Sequence, residues 1–124
     1  MEWEILLSSQ VEKFLDDLFD LDPDSHRLVN QAILVLEANG PSEGRPLVDS
    51  VTASRISNMK ELRPPSTKHT EIRILFAFDP WRSAILLIAG DKAGRWRRWY
   101  RHAIQEAELI YEQYLNDREK ETGS

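Results

Sequence analysis

The stretch Thr70-Glu-Ile-Arg-Ile-Leu-Phe-Ala-Phe78, followed after Asp79-Pro-Trp-Arg82 by Ser83-Ala-Ile-Leu-Leu-Ile-Ala89, decides the fold. In the first run Ile72, Ile74, Phe76 and Phe78 share one face of an extended chain, and Glu71 and Arg73 share the other. The second run is almost wholly apolar, the pattern of a central strand covered on both faces. A four-residue turn joins them, so they pair antiparallel. Met59 to Arg63 reads as the strand before, stopped by Pro64-Pro65.

Toward the N-terminus, Trp3 to Leu7 reads as a short strand. Ser9-Gln-Val-Glu12 matches a capping box, and Val11, Phe14, Leu15 and Leu18 follow at helical spacing, predicting a helix over about 9–20. Asp22-Pro23 opens a second helix with a cap and a first-turn proline. Its apolar face carries Leu28, Val29, Ala32, Ile33 and Leu36, and Asn39-Gly40-Pro41 ends it. The two helices form a hairpin. Residues 40–58 read as loop, with room for a short strand near Leu47–Val51. After the Gly90–Gly94 turn, a long helix is expected over about 95–120, with Trp96, Trp99, Tyr100, Ala103, Ala107, Ile110 and Tyr114 near one stripe. The order β-α-α-(β)-β-β-β-α predicts an α+β fold: a small, mainly antiparallel sheet, packed on the N-terminal helical hairpin and accompanied by a long C-terminal helix.

The 124 residues are expected to form one domain, 1–124, with a charged, frayed end over 117–124. Cysteine is absent, which excludes disulfides and thiolate metal sites. The apolar run Ala84–Ala89 is too short to span a bilayer, and Met1-Glu-Trp-Glu4 lacks the positive region of a signal peptide. The expectation is a soluble, cytoplasmic protein with no membrane partner.

Net charge is −5, but it is unevenly spread. Residues 1–43 hold ten Asp/Glu and two Lys/Arg, net −8; residues 44–104 hold five and twelve, net +7; residues 105–124 hold six and two, net −4. Such asymmetry points to a polyanion-facing surface among acidic, solvated elements. The last helix sharpens this. Arg95, Arg97, Arg98 and Arg101 crowd its start and acids crowd its end, the reverse of what the macrodipole favours. A rule broken locally often marks function, and helix N-terminal donors with added cations favour phosphate. Pairing with the acidic hairpin is the structural alternative. Trp96 and Trp99 can stack bases, although the stripe places at least one of them in the core.

Met59-Lys-Glu-Leu-Arg63, then Glu71-Ile-Arg-Ile-Leu-Phe-Ala-Phe78, then Ala84-Ile-Leu-Leu-Ile-Ala-Gly-Asp-Lys92 together resemble the core of the RelE/HigB superfamily of bacterial toxins, and more narrowly its HigB-like, phage-related branch. The motif-bearing part covers about 59–102, and the element order extends the likeness over nearly the whole chain. The resemblance implies a RelE-like fold and a toxin of a type II toxin–antitoxin pair that cleaves mRNA, commonly on the ribosome, and so inhibits translation. It implies a cognate antitoxin, of helix-turn-helix, HigA-like type, and contact with operator DNA through the toxin–antitoxin complex.

Cleavage of RNA by its own 2′-OH needs a base, an acid and cations that stabilise charge on the phosphate. No metal or other cofactor is required, and no set of residues has convincing metal-ligand spacing. Arg63 and Arg73 match the strand arginines of the family and are assigned to phosphate binding. Lys92 matches its basic position at the end of the last strand, for charge stabilisation or proton transfer. Tyr100 stands near the C-terminal tyrosine of several relatives and can orient a nucleotide. Lys60, Arg95, Arg97, Arg98, Arg101 and His102 complete the expected RNA-binding set. Each has a plainer alternative: Arg63 or Arg73 paired with Glu61 or Glu71 across a strand, Lys92 a solvated turn residue, Tyr100 a core residue. Asp91 is either a base or a cap. His69 and His102 are isolated histidines. Gly40-Pro-Ser-Glu-Gly-Arg45 is not a P-loop. Two competing functions remain: a ParE-like toxin that binds DNA gyrase without being an enzyme, and a non-toxic regulatory protein on the same fold.

Overall fold

The computed structural model describes residues 2–93 and 96–121, with Trp96 by its backbone alone. The elements run β1 (Glu4–Leu7), α1 (Ser9–Leu21), α2 (Pro23–Asn39), a single 3-10 turn (Gly40–Ser42), β2 (Val48–Ser50), β3 (Met59–Leu62), β4 (Ile72–Phe78), β5 (Ser83–Asp91) and α3 (Trp96–Glu121). The sheet order is β1-β5-β4-β3-β2. β2 to β5 form the expected antiparallel meander, and β1 lies parallel to β5 with Glu4 opposite Ser83. The sheet is therefore mixed: the chain leaves β1, crosses a face as the α1–α2 hairpin, and returns through the meander to the strand beside β1.

The capping of α1 corrects one expectation. Ser8, not Ser9, is the N-cap, and its hydroxyl accepts from the Val11 backbone N–H at 3.1 Å. Ser8 also donates to the Leu87 carbonyl at 2.7 Å, which ties the start of the helix to β5. Asp22 caps α2 as expected, accepting from the Ser25 N–H at 3.2 Å. Gly40 ends α2 at φ 57°, where a Cβ would stand 2.3 Å from the Trp3 ring, so only glycine fits.

Two apolar layers hold the sheet. On one face Val11, Leu18, Val29, Ala32 and Leu36 of the hairpin pack on Leu62, Ile72, Ile74, Phe76, Ala84 and Leu86. On the other, Ala103, Ala107 and Tyr111 of α3 pack on Met59, Leu75, Ala77, Ile85, Leu87 and Ile88. A bulge makes this second face continuous: Leu75 pairs with Ile88 and Phe76 with Leu86, so Leu87 has no partner and faces α3 beside Ile88. β4 is thus buried on both faces, and the face of Glu71 and Arg73 is polar only at its N-terminal end.

α3 continues to Glu121, so the segment expected to fray from 117 is helical over its described part. Arg118 and Lys120 in its last turn suit the negative end of the helix dipole. Farther back, Glu108 accepts from Ser54 Oγ at 2.7 Å and from the Arg55 N–H at 2.8 Å, and Arg55 also pairs with Glu112. The acids of α3 thereby hold the loop between β2 and β3 against the helix. At the other end of α3, Trp99 lies over Gly90, where a Cβ would come within 2.0 Å of its indole nitrogen.

Gly90→Ala is therefore expected to push the start of α3 off the sheet and to cost about 1–3 kcal/mol of stability. Gly44→Ala, with open space around the added methyl, is expected to change stability by less than about 0.5 kcal/mol. Denaturant unfolding checks both, and equal effects of the two would refute the close packing at Gly90.

Candidate functional site

Alternation along β3 sends Met59, Glu61 and Arg63 toward α3, and Lys60 and Leu62 toward the hairpin. On β4, Arg73 follows the α3 side, and Glu71 precedes it by two residues. Where α3 begins, its first turns do not cover this polar end of the sheet completely. An open cleft of about 670 Å³ is left between β2, β3 and α3, lined by Asp49, Glu61, Arg63, Glu71, Lys92 and Tyr100 among others. The loop that α3 holds through Glu108 supplies the opposite wall, with Thr52 and Ala53.

Glu61 is the centre of the cleft. It is 6% exposed and accepts a hydrogen bond from the Tyr100 hydroxyl. Its Oε1 lies 3.6 Å from Arg63 Nε and 4.0 Å from Arg73 Nε. A carboxylate this deep needs such partners, because burial of an uncompensated charge costs several kcal/mol. Arg73 lies beneath the cleft rather than on its wall and is 7% exposed. It donates to the Ile72 carbonyl at 2.8 Å and stands 3.8 Å from Glu71, while its buried Nε–H has no hydrogen-bond acceptor among the described residues. Arg63, one-third exposed, reaches Asp49 at 3.7 Å. Lys92 Nζ stands 3.7 Å from Glu71 and 5.4 Å from the centre of the Tyr100 ring.

Burial, followed by the hydrogen bond to Glu61, pushes the Tyr100 hydroxyl far above its ordinary value. At neutral pH it is a proton-bearing donor and not a base. The cluster thus offers one buried carboxylate acceptor, Glu61, with the less buried Asp49 and Glu71 beside it, one retained phenolic proton, two cations on the opening and a third beneath it.

The structure brings Arg63, Lys92 and Tyr100 together on the cleft, with Arg73 below them. The expected RNA-binding set does not gather in the same way. Lys60 is on the opposite face of the sheet, bonded to Ser50 Oγ at 3.1 Å. Arg98 and His102 line a second cleft of about 590 Å³ against α1, with Lys13, Phe14 and Trp99. Arg101 stands beside Ala53 and Arg55 on another side of the helix. Arg97, Arg98, Arg101 and His102 are exposed, and Arg95 lies outside the described residues. At 100° per residue Arg97, Arg98, Arg101 and His102 share one exposed arc of about 140°, turned roughly 130° away from Tyr100 and so away from the cleft. Trp99 is half-buried on Gly90 and against the Tyr100 ring, at 5.0 Å between centroids.

Sequence reasoning treated Glu61 and Glu71 only as partners for the arginines. The signal for Glu61 is its place two residues before Arg63 on a strand, which puts both on one face. Its burial and its contact with Tyr100 depend on where α3 docks. Among the described residues no group of three or more His, Asp or Glu is placed to hold a metal ion. No helix among them is long and apolar enough to cross a membrane.

Residues 16–112 match the family of phage-derived Gp49-like proteins (DUF891). The chain is 51% identical over 108 residues to the "Putative toxin HigB2" of Mycobacterium tuberculosis, covering 87% of this chain and 54% of that protein. It is 50% identical over 111 residues to the "Putative toxin HigB3" of the same organism, covering 90% of this chain and 92% of that protein. The chain belongs to this HigB-like, Gp49-like family. It spans about half the length of HigB2 and nearly all of HigB3. The family match includes Glu61, Arg63, Glu71, Arg73, Lys92 and Tyr100, so the whole cleft falls inside the shared domain.

All three tyrosines are pushed above their ordinary value of 10.0, in each case chiefly by burial. Alkaline ultraviolet titration of the folded protein is expected to show Tyr100 and Tyr114 still protonated at pH 10, and all three tyrosines ionising at higher pH than in the unfolded chain. The unfolded chain ionises at about pH 10, so stability is fully present below pH 10 and falls as pH rises above it. Tyr100→Phe should make that fall shallower. A tyrosine that ionises at pH 10 in folded wild type and is missing in Tyr100→Phe would contradict the buried Tyr100–Glu61 contact.

Proposed function

We propose that this HigB-like chain is the toxin of a type II toxin–antitoxin system and that it inhibits translation as a metal-independent endoribonuclease acting on mRNA at the ribosome. The observation that carries the reading is the gathering of Arg63 and Lys92 around the Glu61–Tyr100 pair in one open cleft, with the buried Arg73 beneath it. The names of its two relatives, both toxins of the HigB type, support the toxin part. A toxin of this kind needs a cognate antitoxin to neutralise it, here of helix-turn-helix type, and the complex of the two is what contacts operator DNA.

The chemistry follows from the groups present. In the empty cleft Tyr100 donates to Glu61. The 2′-OH of a bound nucleotide takes over as donor to Glu61, which releases the Tyr100 hydroxyl toward a phosphate oxygen. The 2′-oxygen then attacks phosphorus as its proton passes to the Glu61 carboxylate. The bond from phosphorus to the 5′-oxygen breaks, and the Lys92 ammonium protonates that leaving oxygen. Arg63 and Arg73 offset the charge that grows on the phosphate oxygens, from positions fixed before substrate arrives. The products are a 2′,3′-cyclic phosphate and a free 5′-hydroxyl, and proton exchange with water resets Glu61 and Lys92.

General acid–base groups contribute about 10²–10⁴-fold each. Glu61→Gln and Lys92→Ala, induced in a bacterial host, are expected to lose growth arrest and to cut mRNA at least about 100-fold more slowly in primer extension. Arg73→Ala is a poorer test, because it leaves Glu61 buried beside fewer cations and risks the fold. Arrest by wild type with intact mRNA would refute the nuclease reading, and gyrase inhibition in that case would favour a ParE-like activity.

A further inference from the structure

Glu71 has a place in the cleft that the reaction above does not use. Its backbone is fixed: the Glu71 N–H donates to Asp91 Oδ1 at 2.9 Å, and the Lys92 N–H donates to the Glu71 carbonyl at 3.0 Å. Its side chain is 45% exposed. One carboxylate oxygen, Oε2, lies 3.8 Å from Arg73 Nη2 and 3.7 Å from Lys92 Nζ. A single anionic oxygen thus sits between Arg73, assigned to the phosphate, and Lys92, the ammonium assigned to the leaving oxygen on that phosphate. Both contacts are longer than a hydrogen bond, so the carboxylate neutralises the pair by charge alone. Beneath it, the buried Arg73 keeps an Nε–H with no acceptor among the described residues.

We propose that Glu71 is a built-in counter-anion that holds the place of an RNA phosphate oxygen and swings out when the backbone of the strand enters. The proposal rests on the reading above that Arg73 and Lys92 face the scissile phosphate and its leaving oxygen. A phosphate oxygen at 2.7–2.9 Å makes charge-assisted bonds that the distant carboxylate does not, so the exchange favours the substrate. The carboxylate in turn keeps two closely placed cations compensated while the cleft is empty, and it disfavours weakly bound anions. Expulsion leaves Glu71 in solvent, where it takes up a counter-cation, so binding releases fewer net ions than the cations alone would give.

The test uses a short single-stranded RNA carrying 2′-O-methyl groups throughout, which cannot be cleaved, with binding read by fluorescence anisotropy across a series of salt concentrations. Glu71→Gln is expected to bind about two- to five-fold tighter than wild type, the range of one solvent-exposed ion pair, and with a steeper dependence on salt. In a Lys92→Ala background the same substitution should lose most of that gain, because part of its partner is gone. Glu71→Gln binding no tighter than wild type overturns the proposal. So does an equal gain with and without Lys92, which would mark a general field effect, and so does the absence of binding by every variant. Because the probe has no attackable 2′-OH, a protein that binds it as expected yet leaves mRNA intact would sink the nuclease reading alone.

Discussion

The hydrogen bond from Tyr100 to Glu61 is the constraint on which the site depends. Glu61 is carried into the interior by the pleat of β3, between Met59 and Arg63. A carboxylate in that position demands donors, and the loss of one partner from a buried charge cluster costs about 3–5 kcal/mol. Tyr100 supplies one donor from α3, and Arg73 and Arg63 supply nearby positive charge from the sheet. The contact fixes the first turns of α3 above the polar end of β3 and β4. Gly90 allows the same turns to come close by leaving room for Trp99. The cleft is what remains open beside this junction.

The charge asymmetry of the chain takes a specific form in three dimensions. The basic middle segment is not one surface. Arg63, Arg73 and Lys92 are gathered at the cleft and are nearly balanced by Asp49, Glu61 and Glu71. Arg55 is taken up by Glu108 and Glu112, where it secures the loop that walls the cleft. The basic start of α3 lies on a separate, exposed face of the helix, turned away from the cleft.

Much of the fold was legible in the sequence because its signals are local. Period-two alternation located β4, the apolar run located β5, and the Asp22-Pro23 cap located the start of α2. The parallel placement of β1 was not legible, because a parallel partner is chosen by where a long crossover lands. The burial of Leu75 and Ala77 could not be read from alternation, since it is the docking of α3 that covers their face. The candidate site was half visible. Arg63, Arg73, Lys92 and Tyr100 came from motif resemblance and do meet. Lys60 was separated from them by strand alternation, and Arg98, Arg101 and His102 by helical rotation. Glu61 was underrated because an acid beside an arginine on a strand is usually a solvated pair, and only tertiary packing makes it central.

The central claim is that Glu61, Tyr100 and the cations around them cut RNA through its own 2′-hydroxyl. The chemistry of the cut ends tests this most directly. Fragments of mRNA recovered after induction, typed by selective ligation and phosphatase treatment, should carry 2′,3′-cyclic or 3′-phosphate on one side and 5′-hydroxyl on the other. Fragments with 3′-hydroxyl and 5′-phosphate ends, produced by wild type and lost with Glu61→Gln, would show that water and not the 2′-oxygen is the nucleophile, and would contradict the account.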